Sequence, residues 1–205
     1  MSQWSYEEAV ACGLKLSDRL KPNHGFPRPM EAIIDYVLEH LRMTRGNKHI
    51  PINFHPRIYE GKTFYGTIED SEVKVDIYYD LNRNRCWRRF IVTKELCHLI
   101  YASSDNLHLS SSVEEIDSLL SQIFAGLVMD QAASSEQAAI LMAIEVLLPH
   151  SERPNIDKMI KDGRDAKDIA KYYLLPAQMV SSYLHGNYAD LVEKMAKRLA
   201  SDARR

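Results

Sequence analysis

The run Ala138–Leu148 is apolar at every position but Glu145, and Pro149 stops it. A helix with no polar face has to be surrounded by other elements, so this segment belongs at the centre of whatever the chain folds into. It is too short for the roughly 20 apolar residues of a membrane span, and no other stretch comes closer.

The remaining segments supply the surroundings. Residues 4–20 read as a short helix, and the breaker-rich KPNHGFPRP (21–29) follows it. Met30, Ile33, Ile34, Val37, Leu38 and Leu41 then fall at helical spacing as one apolar stripe. From about 48 to 90 the period changes. HIPINF, KTFYGTIE and EVKVDIYYD are short, rich in β-branched and aromatic residues, and separated by Gly, Asn and Asp. They predict a small antiparallel sheet of about three strands.

Helical spacing returns at about 91. Ser112 and Glu115 form a capping-box signature ahead of a second stripe, Ile116, Leu119, Leu120, Ile123, Phe124 and Leu127. After HSERPN three shorter helical stretches are expected, with AQMVSSYL behind Pro176 as the middle one. The expectation is an α+β fold with a helical C-terminal tail. Its parts are an N-terminal helix and linker (1–29), a core (30–150) and the tail (151–205).

Composition narrows the function. A formal net charge of −2 over 205 residues argues against a broadly basic nucleic-acid binder. The opening MSQWSYEEAVACG carries acidic residues where a signal peptide would be basic and then apolar. Cys12, Cys86 and Cys97 are odd in number and far apart, so they read as reduced thiols, and the expected compartment is the cytoplasm.

The stretch FIVTKELCHLIYA (90–102) carries the candidate chemistry. In His-Glu-x-x-His, two imidazoles four residues apart share a helix face and hold one zinc ion, and the Glu acts as general base on the metal-bound water. Here Glu95 and His98 stand at the base and second-ligand positions, and Lys94 replaces the first His. Taken alone, KELCH reads as a helix with a hydrogen-bonded core histidine and a partly exposed Glu95.

The wider pattern resembles the ImmA/IrrE metallopeptidases. That family has an Arg-Arg-Phe-Thr-type lead into His-Glu-Leu-Gly-His, and later Glu-x-x-Ala-Asn-x-Phe-Ala-Ala-x-Leu-Leu-Met-Pro. Arg88, Arg89 and Phe90 match the lead, and Glu95, Leu96 and His98 match the motif. Glu136, Ala139, Ala143, Leu147 and Pro149 fall at the later spacing, with Met142 for the Phe. The resemblance implies zincin-like helices beside the sheet, Glu136 as third metal ligand, and a helix-turn-helix repressor as the protein acted upon.

The departures fall in the chemistry: Lys94 for His, Cys97 for Gly, Ile91 for Thr and Ile140 for Asn. An ammonium has three donors and no lone pair, so it repels a metal ion. His98 and Glu136 alone are fewer than the three protein ligands of catalytic zinc sites. Lys94 could instead neutralise Glu95 and Glu136, at about 4 kcal/mol for a close pair before desolvation costs. The expectation is therefore a pseudoenzyme with no cofactor, acting by binding a protein partner.

The competing reading is an active zinc endopeptidase, with Glu95 catalytic and His98, Glu136 and a further ligand on the metal. Cys97 is a softer ligand than Lys, but adjacent helix positions diverge by about 100°, which makes Cys97 and His98 poor partners for one ion. His108 follows in the next loop, and the other histidines (24, 40, 49, 55, 150 and 185) have no ligand spacing. A third reading uses residues 162–186, which resemble a helix-turn-helix, for DNA contact. The second of those helices has no Lys or Arg to neutralise phosphate, so a packed helical pair, with Val180 and Leu184 facing in, is preferred. In the final helix Leu191, Val192, Met195 and Leu199 suggest a docking face.

Overall fold

The computed structural model describes residues 5–20, 25–46, 48–59, 64–101, 108–125 and 134–202. The fold is α+β. Helices α1 (Tyr6–Leu20) and α2 (Met30–Thr44) precede strands β1 (Ile52–Arg57), β2 (Phe64–Asp70) and β3 (Val75–Asp80). Helix α3 (Arg85–Tyr101), strand β4 (His108–Ser112), and helices α4 (Val113–Ala125) and α5 (Ser135–Leu147) follow. A 3-10 turn (His150–Glu152) leads to α6 (Arg153–Lys161), α7 (Ala166–Tyr173), α8 (Ala177–His185) and α9 (Tyr188–Asp202). Among the described residues no helix is long and apolar enough to cross a membrane.

Helix α5 is the central element. Every residue from Ala138 to Leu147 is buried. Its N-terminus is set by a capping box at Ser134, whose Oγ accepts from Gln137 N at 3.2 Å while Ser134 N donates to Gln137 Oε1 at 2.8 Å. Helices α1 and α3 pack against it. The α1 crossing is close: a Cβ on Gly13 would lie 3.1 Å from Met142 Cα and 3.0 Å from Glu145 Cβ. Arg28, between α1 and α2, is 1% exposed. It donates Nη1 to Val146 O at 2.7 Å and Nη2 to Ser17 O at 2.8 Å, tying α1 to the end of α5. Arg89 Nη2 in turn donates to Arg28 O at 2.5 Å.

The sheet differs from the expectation. Among the described residues it has four strands in the order β1-β3-β2-β4, and it is mixed rather than antiparallel. β3 runs antiparallel to β2 but parallel to β1, with Asn53 opposite Asp76. Along the chain β1, β2 and β3 do alternate in direction, but β3 inserts between β1 and β2, so its contact with β1 becomes parallel. Strand order of this kind leaves no trace in the residue pattern. Asp76 holds the seam: it accepts from Asn53 Nδ2 at 2.9 Å, faces His55 Nε2 at 2.8 Å and pairs with Lys74 at 2.6 Å. The Lys74 hydrogen bond leads in holding its carboxyl down at about 2, with burial opposing and His55 and Asn53 assisting. At the edge, Pro51 O accepts from Val75 N and Arg57 O from Leu81 N, so the odd-numbered residues of β1 face β3.

Two further corrections concern boundaries. Helix α3 begins at Arg85 rather than near 91, with Asn84 Oδ1 accepting from Trp87 N at 3.0 Å at its start. Among the described residues four α-helices rather than three follow Pro149. Helix α4 starts directly after Ser112, but the side chains of Ser112 and Glu115 lie outside the described residues, as does Leu127. In the tail, Ile169, Ala170 and Val180 are buried between α7 and α8, and Leu184 packs against the core half-buried. Val192 is buried from α9; the Leu199 side chain lies outside the described residues.

The α8–α9 corner rests on α4. Asn187 N donates to Phe124 O at 2.9 Å, and a Cβ on Gly186 would fall 2.3 Å from that same oxygen. Gly186→Val is expected to lower stability by about 1–3 kcal/mol, since a backbone carbonyl cannot rotate away as a side chain can. Denaturant midpoints measure this, and an unchanged midpoint would mean the corner is loose.

Candidate functional site

The four singled-out residues Lys94, Glu95, His98 and Glu136 meet where the second half of α3 crosses the first turn of α5. Residues 89–99 of α3 are buried throughout, because the sheet covers one side of the helix and α2 and α5 cover others. Polar side chains in that stretch can only find partners inside the protein. Glu136 comes to them as the second residue of α5, where the positive end of the helix dipole favours a carboxylate.

Lys94 Nζ lies 2.5 Å from Glu136 Oε1 and 2.8 Å from Glu95 Oε1. His98 Nε2 is 2.9 Å from Glu136 Oε2 and 4.0 Å from Glu95 Oε2. The Lys94, Glu95 and His98 side chains are 0% exposed and that of Glu136 13%, so Glu136 alone of the four reaches solvent. Glu95 is therefore not the partly exposed helix carboxylate that KELCH suggested. Burial on this scale holds its carboxylate against Lys94 rather than water.

The two carboxyl groups are driven apart. Burial pushes Glu95 above the ordinary glutamate value, with Lys94 and His98 only partly opposing it. Glu136 also feels burial, but hydrogen bonding from His98 and the Lys94 charge prevail and hold it well below the usual range. Burial pulls Lys94 down, yet Glu95 and Glu136 together raise it above an ordinary lysine. Lys94 is thus a protonated ammonium, not a nucleophile. His98 Nε2 faces the ionised Glu136, and its Nδ1 has no hydrogen-bond partner among the described residues.

A divalent cation between His98 and Glu136 would have to share its space with that ammonium. Among the described residues no group of three or more His, Cys, Asp and Glu is arranged to hold a metal ion. Cys97 is buried and its thiol is pushed up by burial, so it is a protonated thiol rather than a thiolate ligand. His108 stands in β4 opposite Glu69, not in a loop, and its side chain lies outside the described residues. His55 faces Asp76 on the sheet, and His24 is outside the described residues.

Gly66 of β2 completes the site and was not singled out by sequence reasoning. A Cβ there would meet Ile91 Cγ2 at 2.5 Å and Glu95 Oε1 at 3.0 Å. The strand backbone therefore lies directly over the Glu95 carboxylate. The available signal was a glycine inside a strand pattern, which marks close backbone approach.

No family model matches this chain, and no curated protein matches it.

Proposed function

We propose that this chain is an ImmA/IrrE-like metallopeptidase-fold protein whose metal position is taken by the Lys94 ammonium. On this reading it is a cytoplasmic pseudoenzyme that works by binding a protein partner, such as a helix-turn-helix transcriptional repressor of phage or stress regulation. The observation that carries the reading is Lys94 Nζ seated between Glu95 and Glu136, at 2.8 and 2.5 Å. A metal ion would use those carboxylates in the same way, as counter-charges to a buried cation. The residues present do not fit a catalytic zinc: only His98 and Glu136 remain of the ligand set, and a positive charge stands beside them.

The test is metal content after zinc loading, run beside Lys94→His. The natural protein is expected to stay empty, while Lys94→His takes up one zinc per chain through residues 94, 98 and 136. One zinc per chain in the natural protein would overturn the reading in favour of an active endopeptidase with Glu95 as general base.

A further inference from the structure

A cavity of about 500 Å³ opens on the other side of α3. Arg85, Arg88, Arg89 and Val92 line it, and their i, i+3, i+4, i+7 spacing places them on one helix face. At 100° per residue Lys94 and His98 stand about half a turn away from that face, so this is a separate place in the fold. Its other walls are the start of α2, with Met30 and Ile34, and the β1–β3 side of the sheet, with Phe54 and Tyr79.

The charges here are unbalanced. Four arginines line the cavity, Arg28 included, and Glu31 is the one acid among the described lining residues. Among the described residues neither Arg85 nor Arg88 has a partner for its guanidinium. Arg89 is only 9% exposed, and its Nε–H has no hydrogen-bond partner among the described residues. Burial and the neighbouring Arg85 bring Arg89 down to about 10, which still leaves it a cation at neutral pH. The whole chain carries a formal −2, so the cluster is not the by-product of a basic composition.

We propose that this cavity binds a small organic oxyanion with an apolar or aromatic body. Arg85 and Arg88 grip the anionic group with their planar forks, and Arg89 supplies further positive charge from behind. The body lies against Phe54, Tyr79 and Ile34. The volume is that of a small-molecule site, and an apolar lining with a few convergent polar groups is the ordinary composition of one. A nucleic acid would require basic side chains along an extended track, whereas these are gathered at a single cavity.

The test is isothermal titration of the full chain with 1-naphthyl phosphate, beside inorganic phosphate, 1-naphthol and 1-naphthoate. One-to-one binding of 1-naphthyl phosphate at least tenfold tighter than of inorganic phosphate or 1-naphthol is expected. Arg88→Ala should weaken it at least tenfold without moving the melting temperature of the unliganded protein, and Arg88→Lys should weaken it less. A preference for phosphate over naphthoate supports the site and assigns it to phosphorylated ligands; the reverse preference supports it and assigns carboxylates. Absence of binding at millimolar probe, or binding unaltered in Arg85→Ala/Arg88→Ala, overturns the proposal. So does tighter binding of a single-stranded oligonucleotide than of any of the small probes.

Discussion

Lys94→Ala is expected to lower the free energy of unfolding by about 3–5 kcal/mol at neutral pH, the usual cost of removing one partner from a buried ion pair. The substitution leaves Glu136 ionised or forces it to protonate, and it takes from Glu95 the cation 2.8 Å away. It also leaves the space of a long side chain that is 0% exposed. A second variant separates charge from volume. Lys94→Met/Glu136→Gln keeps most of the volume, gives His98 an amide oxygen to donate to, and lets Glu95 take up a proton in place of the lost cation. It should recover more than half of the loss. Urea unfolding with midpoint and slope read together decides the matter: a loss below about 1 kcal/mol for Lys94→Ala would show that Lys94 is not what stabilises the buried carboxylates.

The second large effect is a pH dependence centred on Glu145. This side chain is wholly buried in α5, accepts from Tyr188 Oη at 2.9 Å and from His150 N at 3.1 Å, and holds α9 to the core. Burial pushes its carboxyl from the ordinary 4.5 up to about 7, although both hydrogen bonds and the Arg28 charge pull the other way. The folded chain therefore holds this proton where the unfolded chain has released it. The contribution to stability is complete below about 4.5 and is lost as pH rises through about 7, an effect on the order of 3 kcal/mol. Glu145→Gln keeps an acceptor for Tyr188 and cannot titrate. Subtracting its stability–pH curve from that of the natural protein should leave a line falling between pH 4.5 and 7. A flat difference over that window would mean Glu145 is ionised in the fold.

Both effects depend on polar residues within apolar segments: the family resemblance set Lys94 beside Glu95 and Glu136, whereas nothing in the residue pattern gave Glu145 a role. Periodicity placed the helices well: Ile33, Val37 and Leu41 of α2, and Ile116, Leu120 and Ile123 of α4, are buried as their spacing implies. The segment that is apolar but for Glu145 did become the central helix. The capping box at Ser134 that sets where Glu136 stands was not singled out in the sequence, although it is spelled there as Ser-x-x-Gln. The meeting of Glu136 with Lys94 joins residues 42 apart in the chain, and helical spacing within either segment says nothing of that. Nor does spacing reveal which way a lysine points, because its long stem can carry the charge inward or out to water. The mixed sheet was hidden for a related reason. Alternation reports which residues of a strand face the core, but not which strand lies beside it.

The outer strand of that sheet bears on how the molecule meets its own copies. In β1 the odd-numbered residues bond inward to β3, so Pro56 lies on the outer margin, which among the described residues pairs with no further strand. Proline has no N–H to offer there, and the exposed Arg57 beside it adds a charge. Both are devices by which proteins keep one sheet from being extended by the next. The open side of the β1–β3 seam is thus guarded against strand-by-strand aggregation at high concentration.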